Sequence, residues 1–271
     1  MKDRQVSLSP GFTLGVQPGE LEEEGFSLGF KSIAGLDEVG RGPLAGPVMA
    51  AAVIFPRGFV HPEITDSKLL TPKKREALVP VIQESALAWG VGSAEPHEID
   101  RINILQASLL AMARALQQME LEPDYLLIDG IHAIPHSYLV SSVIRDSQTS
   151  KAKRKSLMSI SSSIEPMTNG LPCQKTVKHG DRLCLSIGAA SILAKVTRDR
   201  LMAEYDLRYP EYGFAGHKGY GCASHLRAIQ EYGPSPIHRK SFRPVRESLM
   251  PEGSDQQSTL NLVPPLTTAK E

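Results

Sequence analysis

Residues 33–55 read Ile33-Ala34-Gly35-Leu36-Asp37-Glu38-Val39-Gly40-Arg41-Gly42-Pro43, then LAGP, then VMAAAVIF. An apolar run leads into two adjacent carboxylates and a glycine-rich turn, and a second apolar run follows. Residues 48–55 predict a fully buried strand, and residues 33–36 a core strand ending at the acids. Outward from this stretch, Thr71-Pro72 predicts a helix start, with a capping hydroxyl and proline at the first helical position. That helix is expected to run to about Trp89 and stop at Gly90. Leu105, Leu109, Met112 and Leu116 follow helical spacing. Residues 125–128 (YLLI) predict a central strand ending in Asp129-Gly130. Residues 183–207 predict a long helix whose Gly188, Ala189, Ala190, Ser191 and Ala194 permit close packing. Loops from Tyr209-Pro210 lead to a last helix over 223–232, with Gly233 as its stop. Strands alternating with helices imply an α/β or α+β sheet domain.

The 271 residues are 41% hydrophobic, enough for a packed core. Thirty Lys+Arg balance thirty Asp+Glu, so any nucleic-acid contact must come from local patches. Cys173, Cys184 and Cys222 are odd in number and form no CxxC, which argues against a disulfide scaffold or structural zinc and fits a reducing cytosol. The N-terminus lacks the apolar core of a signal peptide. The most apolar run, 44–55, is far short of the ~20 residues of a membrane helix. Residues 1–30 and 249–271 read as flexible ends around one domain over 31–248. The Ser/Lys-rich stretch 140–172 reads as a long surface loop.

Two neighbouring carboxylates at a strand end raise each other's pKa unless a cation lies between them. The ordinary reading leaves one facing solvent; the apolar lead-in and the glycines count against it here. Asp129 is either a turn-forming Asp before Gly or a site residue. Asp181, just before the long helix, has the ordinary reading of an N-cap. Together Asp37, Glu38, Asp129 and Asp181 would form an all-oxygen set suited to Mg²⁺ or Mn²⁺. Two such ions suit phosphodiester hydrolysis, one acidifying the attacking water and the other steadying the leaving oxygen. The run Gly40 to Gly46 is neither a dinucleotide fingerprint nor a P-loop; glycines beside an acid pair let backbone approach a substrate. Between residues 212 and 246 stand Lys218, Arg227, Arg239, Lys240, Arg243 and Arg246 against Glu231 alone, with His217, His225 and His238. Tyr212, Phe214, Tyr220, Tyr232 and Phe242 interleave with them, as suits phosphate contact and stacking.

The segments IAGLDEVGRGPLAGPV (33–48), DSKLL (66–70), SAEPHEID (93–100), YLLIDG (125–130), KHGDRLCLSIGAASILAKVTRDRLM (178–202) and YGFAGHKGYGCASHL (212–226) together closely resemble ribonuclease HII, the type 2 ribonuclease H. The resemblance covers about residues 31–248. It implies an α/β, ribonuclease H-like mixed sheet flanked by helices, with a helical C-terminal extension. It also implies an endonuclease acting on the RNA strand of RNA–DNA hybrids and at ribonucleotides embedded in duplex DNA. Cleavage would fall on the 5′ side, leaving 3′-OH and 5′-phosphate ends, in removing misincorporated ribonucleotides and RNA primers. Asp37, Glu38 and Asp129 resemble the family's metal ligands, and Asp181 its fourth catalytic acid. Gly40, Arg41 and Gly42 resemble the loop that senses ribose 2′-hydroxyls, and Tyr220 the ring that packs on the sugar at an RNA–DNA junction. Lys68 and Lys195 look like phosphate-side residues.

Two departures stand out. The stretch between Asp129 and Asp181 is some thirty residues longer than the family pattern and carries Lys151, Lys153, Arg154 and Lys155. Cys222 stands where the family often has Thr, which removes a hydroxyl beside Tyr220 and implies a weaker junction preference. In the tail, Gln257, Leu260 and Leu262 (residues 257–262) loosely resemble the short motif that docks on a sliding clamp. A cytoplasmic monomer is expected. The rival readings are a nucleic-acid-binding protein without catalysis and another two-metal enzyme on this fold, such as an exonuclease.

Overall fold

A computed structural model describes residues 19–143 and 171–250. A five-stranded sheet in the order β3-β2-β1-β4-β5 forms its centre: β1 Ile33–Val39, β2 Val48–Ile54, β3 Ala88–Ala94, β4 Tyr125–Asp129 and β5 Cys173–Val177. β1, β2 and β3 pair antiparallel, whereas β4 runs parallel to both β1 and β5. This is the mixed sheet that the resemblance implied.

Every residue of β2 is buried because helices cover both faces. Ala50, Ala52 and Ile54 face α3 (Pro96–Gln117), packing with Ala107, Ala111 and Ala115. Ala51 and Val53 face α2 (Pro72–Ser85) and α6 (Leu185–Arg208), packing with Leu78, Ile82, Ala189 and Leu193. The strand alternation thus serves two cores at once. Glycines set the closeness of these layers. A Cβ on Gly92 would lie 2.3 Å from the Ala111 carbonyl oxygen, and one on Gly35 would lie 2.3 Å from the Ile187 backbone. The second contact brings the start of α6 directly against β1.

Several expectations are corrected. α2 stops at Ser85 and Trp89 lies in β3, because the chain turns at Ala86 so that Leu87 N–H can bond the Ile54 carbonyl and open the β2–β3 ladder. The long helix is broken: α5 (Gly180–Leu183) is a separate short turn and α6 follows after Cys184. Part of the N-terminal segment read as flexible is a helix, α1 (Glu20–Ser27). Leu21, Phe26 and Phe30 find burial against Ile33, Tyr125 and Leu127, while the Glu22 carboxylate accepts bonds from the Ser186 N–H and hydroxyl. That carboxylate supplies the cap that Cys184 does not give to α6. Residues 140–143 of the stretch read as a loop belong to α4 (His136–Val143), and β5 (Cys173–Val177) begins just after that stretch. The four basic residues between Lys151 and Lys155, and the clamp-like residues Gln257, Leu260 and Leu262, lie outside the described residues.

α7 (Phe214–His217) and α8 (Ala223–Tyr232) form the C-terminal extension, and Gly233 ends α8 as expected. A further helix, α9 (Arg243–Ser248), follows what was read as the last. Leu44, Ala45, Met202, Phe214 and Val245 form the small core beneath them. Among the described residues no helix is long and apolar enough to cross a membrane.

Candidate active site

The acids gather where the pairing of β1 with β4 ends, while β1 runs on beside β2 to Val39. Leu36 pairs with Ile128, so the next residues, Asp37 and Asp129, are neighbours at the carboxyl ends of parallel strands, the customary place for a site in such sheets. The pleat puts Asp37 on the same face as Gly35, toward α6, and sends Glu38 to the other. Asp129 Oδ1 accepts a 2.7 Å bond from the Gly180 N–H at the first turn of α5, which sets Asp181 beside it. A Cβ on Gly180 would lie 2.5 Å from Ile187 Cδ1, the movable end of a side chain, and 3.3 Å from Asp129 Oδ1.

Asp37 is buried, and burial, then the charges of Glu38 and Asp129, push its carboxyl well above the usual range. Burial also raises Glu38, with Arg41 pulling against it across a 3.2 Å ion pair. Asp181 is raised by burial and by its neighbours Asp66 and Asp129. Lys68 stands over this group with its Nζ 3.6 Å from Asp181 Oδ2. Burial works against its charge, but the attraction of Asp181, Asp66, Asp37 and Asp129 outweighs it, so its pKa rises. One lysine thus faces four acids.

That donor set fits a divalent cation: the ligands are all oxygen and repel one another, a repulsion that a doubly charged ion would relieve. Glu38 is engaged with Arg41, and among the described residues no three such side chains form a closed cage. The acids are assembled as a face rather than a finished socket.

The glycine loop leaves β1 directly after the acids. Gly40 has φ 89° and lies over Arg198, where a Cβ would come 2.2 Å from Nε. A Cβ on Gly42 would lie 3.4 Å from the Tyr220 ring. The two loops are also joined by the Leu44 N–H, which donates to the Gly219 carbonyl at 2.8 Å. Tyr220 is about half exposed, so its ring is free on one side. Lys195 pairs with Asp199 at 2.7 Å. Cys222 caps α8 without a side-chain cap bond, and its Sγ lies 3.1 Å from the Ser224 hydroxyl.

The basic C-terminal third is only partly a surface. Arg227, Lys240, Arg243 and Arg246 are exposed, but Arg239, His225 and His238 are buried, and Tyr212 and Phe214 are core. The Arg239 guanidinium donates to the carbonyls of Gly40, Arg41 and Gly46, not to a phosphate face. His238 Nδ1 accepts from the Ser235 N–H, so its proton sits on Nε2 and is given to His225 Nε2; His225 Nδ1–H then donates to the Tyr220 carbonyl. Both imidazoles are neutral in this chain of bonds.

Of three residues with clear roles, Asp66 and Arg198 carried no sequence-based expectation, and Arg239 carried a different one, phosphate contact. Asp66 is 1% exposed; its Oδ1 accepts from the Lys68 N–H and its Oδ2 from Arg182, so it sets the lysine and presses on Asp181. Its only sequence signal was the DSKLL segment, in which Lys68 alone was singled out. Arg198 and Arg239 were hidden because a buried arginine and a surface arginine look alike in sequence.

The family model described as Ribonuclease HII matches residues 34–245. The chain belongs to the ribonuclease HII family. Proteins named Ribonuclease HII from Geobacter metallireducens and Geobacter sulfurreducens are 53% and 51% identical to it, covering 82% and 85% of this chain and 89% and 90% of theirs. The fold is similar to ribonuclease H2 of Pyrococcus horikoshii OT3, at TM-score 0.58 and 24% identity over 80% of this chain and 97% of that one. It is also similar to Bst-RNase HIII, solved in complex with Mn²⁺, at TM-score 0.56 and 18% identity over 90% and 76%. The ribonuclease HII of Archaeoglobus fulgidus, solved in complex with PCNA, matches at TM-score 0.53 and 20% identity over 79% and 96%. The chain is therefore an enzyme, a phosphodiester hydrolase of the ribonuclease H type.

Proposed function

We propose that the enzyme cuts on the 5′ side of ribonucleotides, in RNA–DNA hybrids and at single ribonucleotides within duplex DNA, leaving 3′-OH and 5′-phosphate ends. One observation carries this: the loop leaving Asp37-Glu38 runs against the half-exposed Tyr220, so the acids and a ribose-sized contact surface are parts of one short stretch. Asp37, Glu38 and Asp129 would hold Mg²⁺ or Mn²⁺. Such an ion acidifies water and offsets charge on the leaving oxygen.

The chain's own residues do the rest. Gly40, Arg41 and Gly42 offer backbone close to a 2′-hydroxyl, which fixed donors and acceptors can distinguish from deoxyribose. The Tyr220 ring would pack on the neighbouring sugar and favour one lacking the hydroxyl, which marks the DNA side of a junction. Asp181, set beside Asp129 by the turn of α5 and paired with Lys68, would help place or release a metal ion or product. Lys68 keeps its charge at neutral pH and balances the acids against an incoming phosphate. Lys195 gives one N–H to Asp199 and keeps two donors with which it would contact phosphate.

The test is a labelled DNA duplex with one internal ribonucleotide, incubated with Mg²⁺ or Mn²⁺ beside an all-DNA control. A single nick 5′ to the ribonucleotide, with no cut in the control, is expected. Cutting of both duplexes, or exonucleolytic trimming, overturns the reading. A cytoplasmic monomer that removes misincorporated ribonucleotides and RNA primers fits this activity. The A. fulgidus relative solved with PCNA supports a further element, docking on a sliding clamp through residues 257–262. Clamp pull-down that is unchanged by Leu260→Ala with Leu262→Ala overturns that element.

A further inference from the structure

Two arginines lie fully buried behind the glycine loop, and every hydrogen bond the structure gives their guanidiniums goes to a backbone carbonyl. Arg198 donates to Pro47, Lys218 and Ala45, at 3.1, 3.0 and 3.1 Å. Arg239 donates from Nε to Gly46 at 2.9 Å, from Nη1 to Arg41 at 2.9 Å and from Nη2 to Gly40 at 2.6 Å. The Arg239 fork is braced by Phe242, whose ring lies 5.1 Å from Cζ. A trans peptide is planar, so a carbonyl drawn inward turns the N–H of the following residue outward.

The six peptide groups held in this way differ in where that N–H goes. The Gly46 N–H donates to the Ile237 carbonyl, and the Gly219 N–H to His217 Nδ1. Pro47 has no N–H, and Val48 is a strand residue in register with Ala94. The two that remain are the N–H groups of Arg41 and Gly42, both turned outward by Arg239. Among the described residues neither donates to any acceptor, and both residues are exposed. Beside them stands Tyr220, whose ring a Cβ on Gly42 would meet at 3.4 Å. A cation on the carbonyl side of a peptide also polarises it and makes its N–H a stronger donor.

We infer that Arg239 is a positioning residue for sugar recognition: it holds the Arg41 and Gly42 peptides so that their N–H groups meet a ribose 2′-oxygen. The inference rests on the proposed reading of the glycine loop and adds the residue that aims it. Arg239 touches no substrate. Lysine in its place keeps a positive charge but cannot hold three carbonyls in a plane.

The experiment measures binding, in an Asp129→Asn background that cannot cleave, to two duplexes identical except for one internal ribonucleotide. The readout is the ratio of the two Kd values, from which any unfolded fraction cancels. The parent is expected to prefer the ribonucleotide duplex, and Arg239→Lys to lower that preference about tenfold, the scale of one well-made hydrogen bond lost. All-DNA affinity should change little. A folded Arg239→Lys protein with the parent's ratio overturns the inference. A parent with no preference overturns instead the underlying reading of the loop. Should Arg239→Lys fail to fold, amide NMR of the Asp129→Asn protein supplies the second test. Arg41 and Gly42 N–H resonances should move on adding the ribonucleotide duplex but not the all-DNA duplex, while those of Gly46 and Gly219 stay. Equal movement with both duplexes overturns the inference.

Discussion

At the acid end of the molecule, Asp37, Glu38 and Asp181 are carboxylates whose burial and mutual repulsion push their pKa values up, with Lys68 and Arg41 as partial relief. At the C-terminal end, Arg198, Arg239, His225 and His238 are buried bases whose pKa values are pushed down, Arg239 to about 9 and His238 to about 4. Burial is the first cause in both. The difference lies in the partners. The bases are met by backbone carbonyls and by one another's ring nitrogens, each with an assigned hydrogen bond. The acids are met largely by other acids. One end is satisfied and holds loops in place; the other is left electrostatically incomplete.

The most direct way to break this contrast is Asp129→Asn. Cleavage should fall by about a thousandfold or more, since metal-assisted hydrolysis loses a ligand. Thermal stability should hold or rise, because a charge that repels Asp37, Glu38 and Asp181 is gone. A variant that cuts at the parent rate removes Asp129 from the site.

Arg198→Met probes the satisfied end. It leaves the carbonyls of Ala45, Pro47 and Lys218 unpaired in the interior, so stability should fall by roughly 3 kcal/mol or more in urea unfolding. A loss under about 1 kcal/mol would mean that water replaces the guanidinium and that the end is not rigidly built.

The two ends should also bend the pH profile of stability in opposite senses. His238 binds a proton less readily folded than unfolded, so its contribution is complete above the ordinary histidine pKa near 6.5 and declines as pH falls toward about 4. The loss is on the order of 3 kcal/mol, and His238→Gln should flatten that limb. The raised carboxylates act in reverse: their contribution is complete at low pH and is lost as pH rises through their folded pKa values. Chemical denaturation from pH 4 to 8 checks both, and a profile without a maximum contradicts the pairing of the two ends.

The smallest effect belongs to neither end. Glu98, pulled down to about 2 chiefly by Arg114, closes the first turn of α3 with Glu95. Glu98→Ala should cost about 1 kcal/mol at pH 7. The difference from the parent should shrink as pH falls from about 4.5 toward 2, because a depressed carboxylate stabilises only while ionised. A constant difference across that range would refute the ion pair.

Much of this was legible in the chain. Apolar runs bounded by acids and glycines marked β1, β2 and β4; Thr71 and Gly233 marked one helix start and one stop; and carboxylates at strand ends marked three of the four acids. β3 was missed because AWGVGSA carries two glycines and looks like a turn; those glycines are there to admit the α3 backbone, a contact the strand's own sequence does not show. β5 was missed because it lies beside a low-complexity stretch and its CQKTV sequence lacks the apolar run that marks β4. Asp66, Arg198 and Arg239 act on residues 116, 153 and 199 positions away.

By itself the sequence determined which chemistry the molecule could hold: oxygen ligands for a hard cation, a backbone loop free of side chains, a tyrosine between glycines. Those are properties of residue type and near neighbours, which a linear chain displays. Only the tertiary structure decided which basic groups face the solvent and which turn inward to aim a loop. A guanidinium carries the same charge in either place; burial and partners, set by distant segments, make it a phosphate contact or a brace.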